Sequence, residues 1–289
     1  MLKGLIMQAS HTELLEHHLT ACGLPWRKLA PGSGAAMLQK AAESLGAPEE
    51  LLCLVETDED ERIALDGGFF CIGYLNPGRT KERLSGCRIL LEGFEEIDRT
   101  FLEEVHTRAL GLPVTIAETG RLRIREMSLS DLPALNALCR KNGYDGMEEE
   151  EAKAYIAYMY GLYQCGMWLV FEKKSGRLIG RCGFGVADYL DFTELDLGYL
   201  TDAEYRRQGY AEEACRAVLS YGDQVLQFPQ ISAYVEEENT ASRALLGKLG
   251  FSLIQSFRWK GKTMRRYLRR AESRAEKRYE IWEQSGRIK

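Results

Sequence analysis

Histidine is scarce in this chain and paired cysteine motifs are missing. Only His11, His17, His18 and His106 are present, and none neighbours a cysteine pair. The cysteines Cys22, Cys53, Cys71, Cys87, Cys139, Cys165, Cys182 and Cys215 are scattered, with no CxxC spacing among them. A zinc site is therefore not expected, and buried reduced thiols are. No apolar run approaches the length of a membrane span. The opening segment, Met1 to Ser10, holds one lysine and too short an apolar stretch for a signal peptide. The formal charge of −5 lacks the basic excess of a general nucleic-acid binder. What is present, 45% hydrophobic and 28% charged residues over 289 positions, suits a cytoplasmic protein of two domains.

The most informative stretch is Arg206-Arg207-Gln208-Gly209-Tyr210-Ala211. It follows a strand-like run, Leu195 to Thr201, and opens a helix-like run, Glu212 to Leu226. A glycine loop closing a strand and opening a helix presents backbone N–H groups at the positive end of the helix dipole. Gly209 permits close backbone approach, and the two arginines can pair with phosphate oxygens. The loop reads as a diphosphate cradle. It lacks P-loop spacing and the three glycines of a dinucleotide fingerprint. An ordinary helix-capping loop with solvated arginines is the plainer reading.

The loop resembles the acyl-CoA loop of the GNAT acyltransferases, [QR]-x-x-G-x-[GA], with Arg206, Gly209 and Ala211 at the defined positions. The wider segment "DLGYLTDAEYRRQGYAEEA" resembles the ribosomal-protein-alanine-acetyltransferase-like branch. Asn239 to Arg243, followed by Lys248-Leu249-Gly250-Phe251, is similar to the family's "N-x-x-S…K-x-G-F" segment. The resemblance covers roughly residues 121 to 270. It implies a GNAT-type mixed central sheet flanked by helices, and acetyl-CoA as co-substrate. It also implies that Leu200, Thr201 and Tyr199 meet the pantetheine arm. Arg206, Arg207, Gln208, Gly209, Tyr210 and Ala211 would hold the diphosphate. Asn239 and Ser242 would contact the cofactor, although Asn239 also reads as a plain helix N-cap.

Asp196 and Glu194 share one strand face and are the candidate catalytic carboxylates. Asp196 stands where related enzymes carry Glu in "E-x-G-Y". An inter-strand ion pair with Arg181 is the alternative. The family's usual tyrosine acid, seven positions after the asparagine, is replaced by Leu246. The implied activity is N-acetyl transfer to a primary amine, on a small molecule or a protein N-terminus, by direct attack in a ternary complex. The alternative is a catalytically weak acyl-CoA-binding sensor whose first domain is an interaction module. The acidic residues Asp145 and Glu148 to Glu151, with Tyr155, Tyr158 and Tyr163, suit a cationic acceptor or a solvated helix start. No nucleic acid, membrane or metal is expected, and a homodimer is left open.

Three segments follow from the pattern: an α/β accessory domain over 1–118, the acyltransferase domain over 119–270, and a charged tail over 271–289. Residues 1 to about 46 read as helical, with a break at Pro25 and Pro31-Gly32-Ser33-Gly34 and a second helix from Ala35 to Leu45. Strands are expected at Leu51–Val55, Phe69–Tyr74 and Cys87–Leu91, giving a small parallel, three-layer-like sheet. Thr57-Asp58 after a strand resembles a HAD-type phosphatase half-domain, but the paired-aspartate nucleophile is missing. Glu56, Asp58, Glu59 and Asp60 read as a solvated acidic helix start. The second domain should run β-α-α-β-β-β-α-β-α-β-β. Its late basic run, Arg258 to Arg270, reads as a solvated strand edge or as a contact for CoA's 3′-phosphate. The tail should be a helix packed through Tyr279, Ile281 and Trp282.

Overall fold

In the computed structural model, residues 1–271 are described, and the tail helix expected beyond them lies outside the described residues. The chain divides into two compact units at Val114/Thr115. No helix among the described residues is long and apolar enough to cross a membrane. All eight cysteines are unpaired.

The first unit contains β1 (Gly4–Gln8), α1 (Glu13–Ala21), β2 (Trp26–Lys28), α2 (Gly34–Glu43) and β3 (Leu51–Val55). It continues through α3 (Asp58–Asp66), β4 (Phe70–Tyr74), β5 (Leu90–Leu91) and α4 (Arg99–Ala109). The five strands form one parallel sheet in the order β2-β1-β3-β4-β5. Leu15 and Leu19 of α1 and Leu102 and Val105 of α4 cover one face. Leu38, Ala41 and Ala42 of α2, with Ala64 of α3, cover the other. Three layers result.

The helical expectation for residues 1 to 46 fails at β1, which lies inside the sheet. Every residue of Gly4–Gln8 is buried. A strand covered on both faces has no polar side to alternate with, so it shows no period of two. At the other edge only Leu90–Leu91 of the expected Cys87–Leu91 strand forms.

The acidic run after β3 also departs from expectation. Helix α3 does start there, capped by Thr57, whose Oγ1 accepts from the Asp60 N–H. But Glu56, Asp60 and Glu61 are buried rather than solvated. Glu56 accepts hydrogen bonds from the Ser10 N–H and hydroxyl, Asn76 Nδ2 and Arg79 Nε. Asp58 accepts from the N–H groups of Arg83 and Leu84, and Glu61 from those of Gly86 and Cys87. Asp60 takes the Gly32 N–H and Gln8 Nε2. The run staples the loops that follow β1, β2 and β4, satisfying backbone donors that the interior would otherwise strand.

The second unit opens with β6 (Thr115–Glu118), a strand not anticipated, which pairs antiparallel with β7 (Leu122–Arg125). This pairing sets the division at Val114/Thr115. Then come α5 (Leu132–Lys141), α6 (Glu149–Tyr155) with a π-turn over Ile156–Tyr160, β8 (Met167–Glu172), β9 (Leu178–Ala187) and β10 (Glu194–Thr201). The unit ends with α7 (Tyr210–Gln224), β11 (Gln230–Glu236), α8 (Thr240–Lys248), β12 (Ser252–Trp259) and β13 (Lys262–Arg270). Eight strands form a mixed sheet, β12-β13-β11-β10-β9-β8-β7-β6. Neighbours pair antiparallel except β10 and β11, which are parallel and joined through α7.

The basic run divides: Arg258, Lys260 and Arg270 are exposed, the first two on or beside the edge strand β12, as a solvated edge requires, while four cations of β13 are paired. Their acids come from other strands and from α7. Arg266 forks onto Glu194, Arg269 onto Asp223, Arg265 reaches Glu237 and Lys262 reaches Glu236. Neighbouring strands and the helix over them supply partners that sequence distance hides.

Candidate functional site

Strand β10 pairs with β9 along its whole length, from Glu194 to Thr201. On its other side the ladder to β11 holds a single pair, Asp196 with Ser232. Beyond that pair the parallel strands part. Gly198 to Thr201 therefore present backbone groups toward a gap, without a ladder partner across it.

A cavity of about 630 Å³ lies along this stretch. It is lined by Tyr199, Leu200 and Thr201 from β10, by Arg206, Arg207, Gly209, Tyr210 and Ala211 from the loop and α7, and by Asn239, Ser242 and Leu245 from α8. Ten of the twelve residues singled out in the sequence belong to the cofactor set, and nine of those ten touch or bound this region; the exception in the lining is Gln208. Gln208 instead donates from Nε2 to the Glu204 carbonyl, bracing the turn.

The loop geometry explains its sequence. Arg207 has φ +58° and Gly209 φ +81°, so the chain turns through the left-handed region twice before α7 begins. At Gly209 a Cβ would strain the backbone and would sit 3.4 Å from Arg121 Nη2. Arg206 donates from Nε to the Thr201 carbonyl at 3.1 Å, tying the loop back to the end of β10, and its Nη2 reaches Asn142 Oδ1. Asn239 caps α8: its Oδ1 accepts from the Ser242 N–H at 3.1 Å. Two helix N-termini thus border one cavity, and both favour anionic groups.

Sequence reasoning missed Arg121. It stacks over the Tyr210 ring at 4.2 Å, pairs with Glu213 and donates from Nη1 to the Gln208 carbonyl. The Tyr210 hydroxyl in turn donates to Glu172 at 2.7 Å. No local motif marks Arg121, because its partners lie almost ninety residues away.

The two carboxylates of β10 share a face, as their spacing requires, yet their surroundings differ. Glu194 receives both arms of the Arg266 guanidinium at 2.7 Å and the Tyr234 hydroxyl. Burial pushes its carboxyl up, but these hydrogen bonds, led by Arg266, outweigh it and bring the pKa to about 2. The Asp196 carboxylate has its own backbone N–H as a hydrogen-bond donor and makes no ion pair among the described residues; Arg181 stands opposite Leu200, not Asp196. Burial, with the Glu194 charge adding to it, pushes the Asp196 carboxyl up to about 6. Rings of Tyr189, Tyr234 and Trp259 pack together near this face, with centroids 4.8 and 4.9 Å apart. Asp196 does not line the 630 Å³ cavity. It sits at the apex of the gap, on the opposite sheet face from Tyr199.

The acidic and aromatic residues of the early helices are engaged elsewhere. Glu149 and Glu150 pair with Lys153. The Tyr155 hydroxyl accepts from the Met167 N–H, while Tyr158 and Tyr163 are exposed. Leu246 is fully buried and offers no proton donor.

Comparison with known proteins agrees with this geometry. Residues 121–252 match the family model described as "Acetyltransferase (GNAT) domain". The chain is 34% identical over 146 residues to a Bacillus subtilis (strain 168) protein described as the uncharacterized N-acetyltransferase YoaA, covering 47% of this chain and 82% of that one. It is 33% identical over 146 residues to the uncharacterized N-acetyltransferase p20 of Bacillus licheniformis, covering 46% of this chain and 80% of the relative. It is 29% identical over 162 residues to the B. subtilis protein YkkB, covering 53% and 94%. The chain belongs to the GNAT acetyltransferase family, whose acyl donor is acetyl-CoA.

Proposed function

We propose that this protein transfers the acetyl group of acetyl-CoA to a primary amine by direct attack in a ternary complex, with residues 206–211 holding the diphosphate and Asp196 receiving the proton. The supporting observation is the single cavity bounded by the parted end of β10, the left-handed loop before α7 and the capped start of α8. Anionic groups fit the two helix starts and the arginines. The pantetheine arm fits beside Gly198 to Thr201, whose backbone groups can pair with its amides as a strand would. Asn239 and Ser242 border the same arm.

The acceptor arrives as an ammonium and must lose a proton before it can attack. Asp196 suits that step. It is ionised at neutral pH with a pKa of about 6, close enough to neutrality to accept a proton through a water. Glu194, with its pKa of about 2, is too weak a base and instead fixes β10 to β13 through Arg266. The amine nitrogen then bonds to the carbonyl carbon, the C–S bond breaks with its electron pair leaving on sulfur, and the second proton shed by the nitrogen passes to that sulfur to give the free thiol. The acceptor is a cationic amine of a small molecule or a peptide N-terminus, drawn to the Asp196 carboxylate and the Tyr189, Tyr234 and Trp259 rings.

Calorimetric titration of acetyl-CoA into the wild type and into Ala211→Trp tests the site. Ala211 lies in the first turn of α7, so tryptophan fills the cavity without the backbone strain that Gly209→Trp would add. Wild-type binding lost in the variant is expected. Equal binding by both proteins would place the cofactor elsewhere.

A further inference from the structure

Arg121, the residue before β7, lies outside the cavity lining, yet its side chain is committed to the loop that bounds the cavity. Its Nη1 donates to the Gln208 carbonyl at 3.0 Å. Its Nε donates to Glu213 Oε2 at 2.7 Å, and its Nη2 lies 2.6 Å from the same oxygen. The guanidinium covers the Tyr210 ring at 4.2 Å, and the Tyr210 hydroxyl is tied to Glu172. Arginine suits this place because its planar fork meets two acceptors at fixed angles, which a lysine cannot do.

The contact with Gln208 sets the aim of its neighbour. A peptide unit is planar and trans, so its C=O and N–H point in opposite directions. Holding the Gln208 carbonyl on Arg121 therefore turns the Gly209 N–H away from Arg121. Gly209 bounds the cavity and Arg121 does not. No acceptor among the described residues takes the Gly209 N–H, which stands at the start of α7, where the helix dipole adds to its pull on an anion. The contact with Glu213 answers a charge problem. Helix α7 carries Glu212 and Glu213 in its first turn, where acids compete with an anionic ligand for the positive end of the helix. Glu212 is paired with Arg216 of the same helix and with Lys248 of α8. Glu213 is paired with Arg121. Without Arg121 its charge would stand uncompensated about 4.5 Å along the helix axis from Tyr210.

We propose that Arg121 is a positioning residue for diphosphate binding: from behind the loop it aims the Gly209 N–H at the ligand and cancels the Glu213 charge beside it. The inference rests on the cofactor site proposed above. One guanidinium thus does two things for the same anion. It presents a donor that the protein itself leaves unused, and it removes the repulsion that the helix's own acid would exert.

Free coenzyme A is the probe, so no acceptor amine is needed. Its affinity is measured by calorimetry in wild type, Arg121→Met, Arg121→Lys and Arg121→Met/Glu213→Gln, each well below its melting temperature. Arg121→Met should weaken binding about tenfold or more, the worth of one hydrogen bond to a charged group. Arg121→Lys keeps a charge opposite Glu213 but loses the fork, and should fall between that variant and wild type. The double variant should regain part of the affinity lost in Arg121→Met, because the repulsion is gone while the Gln208 carbonyl stays unheld. An arginine that only braces the fold would lower the melting temperature and leave all these affinities equal. Wild-type affinity in Arg121→Met or in Arg121→Lys, or a double variant that binds no tighter than Arg121→Met, would overturn the inference. Should Arg121→Met fail to fold, Arg121→Lys decides alone. Failure of wild type to bind coenzyme A would overturn the site itself, an outcome separable from the others.

Discussion

Each unit carries carboxylates on or just after a buried strand, and the two sets are treated in opposite ways. After β3, Glu56, Asp58, Asp60 and Glu61 each accept two or more hydrogen bonds, many from backbone N–H groups of distant loops. On β10, Glu194 is equally saturated, but Asp196, two residues on, has no ion pair among the described residues and only its own backbone as a donor. Saturation lowers the Glu56 and Glu194 pKa values against the pull of burial, whereas isolation raises that of Asp196 to about 6. Carboxylates of the first kind hold loops together. One of the second kind is kept in a costly state and is free to exchange a proton. This contrast speaks against the hydrolase reading of the first unit, whose acids are already spoken for by loop backbone.

The comparison breaks most readily at Asp196. Asp196→Asn should lower kcat/KM about 100-fold or more, the range of general-base catalysis. In wild type the kcat/KM profile should rise through pH about 6, and the variant should lose that limb. The same substitution should stabilise the fold at neutral pH. The native pKa lies above the ordinary aspartate value, so ionisation costs the native state stability as pH rises from about 4 through 6, and asparagine removes that cost. A variant that is both active and less stable would dissolve the distinction drawn here.

Glu56→Gln tests the opposite pole. It removes the charge that binds Ser10, Asn76 and Arg79, and should destabilise the first unit by about 2 kcal/mol with no change in acetyl-CoA affinity. The lowered Glu56 pKa means its contribution is present above the ordinary glutamate range and fades as pH falls below it. The wild type and the variant should therefore converge in acid denaturation. Melting curves at pH 7 and pH 3 measure this, and a gap that persists at low pH would contradict it. The smallest effect is at the cap of α3. Thr57→Ala removes the oxygen that accepts from the Asp60 N–H, and urea unfolding should register a loss of about 1 kcal/mol.

Legibility in the sequence followed the range of the interaction. The loop from Arg206 to Ala211 is local: its glycine, its left-handed turns and the helix it opens all lie within a few residues, so its form could be read. So could the α8 cap at Asn239 and the alternation that puts Glu194 and Asp196 on one face. Strand β1 could not, because burial on both faces erases its pattern. The paired arginines of β13 could not, because their acids stand on β10, β11 and α7. The Arg121 brace belongs to the same class.

The sequence by itself determined the family, the mixed acyltransferase sheet, the parallel first unit and the form of the loop from Arg206 to Ala211, since each rests on short-range pattern and spacing. The tertiary structure alone decided which carboxylate is neutralised and which is left unpaired. It also decided where β10 and β11 part. Those outcomes depend on what the fold brings within about 3 Å of a polar atom, the distance over which a hydrogen bond acts, and neighbours along the chain do not specify it.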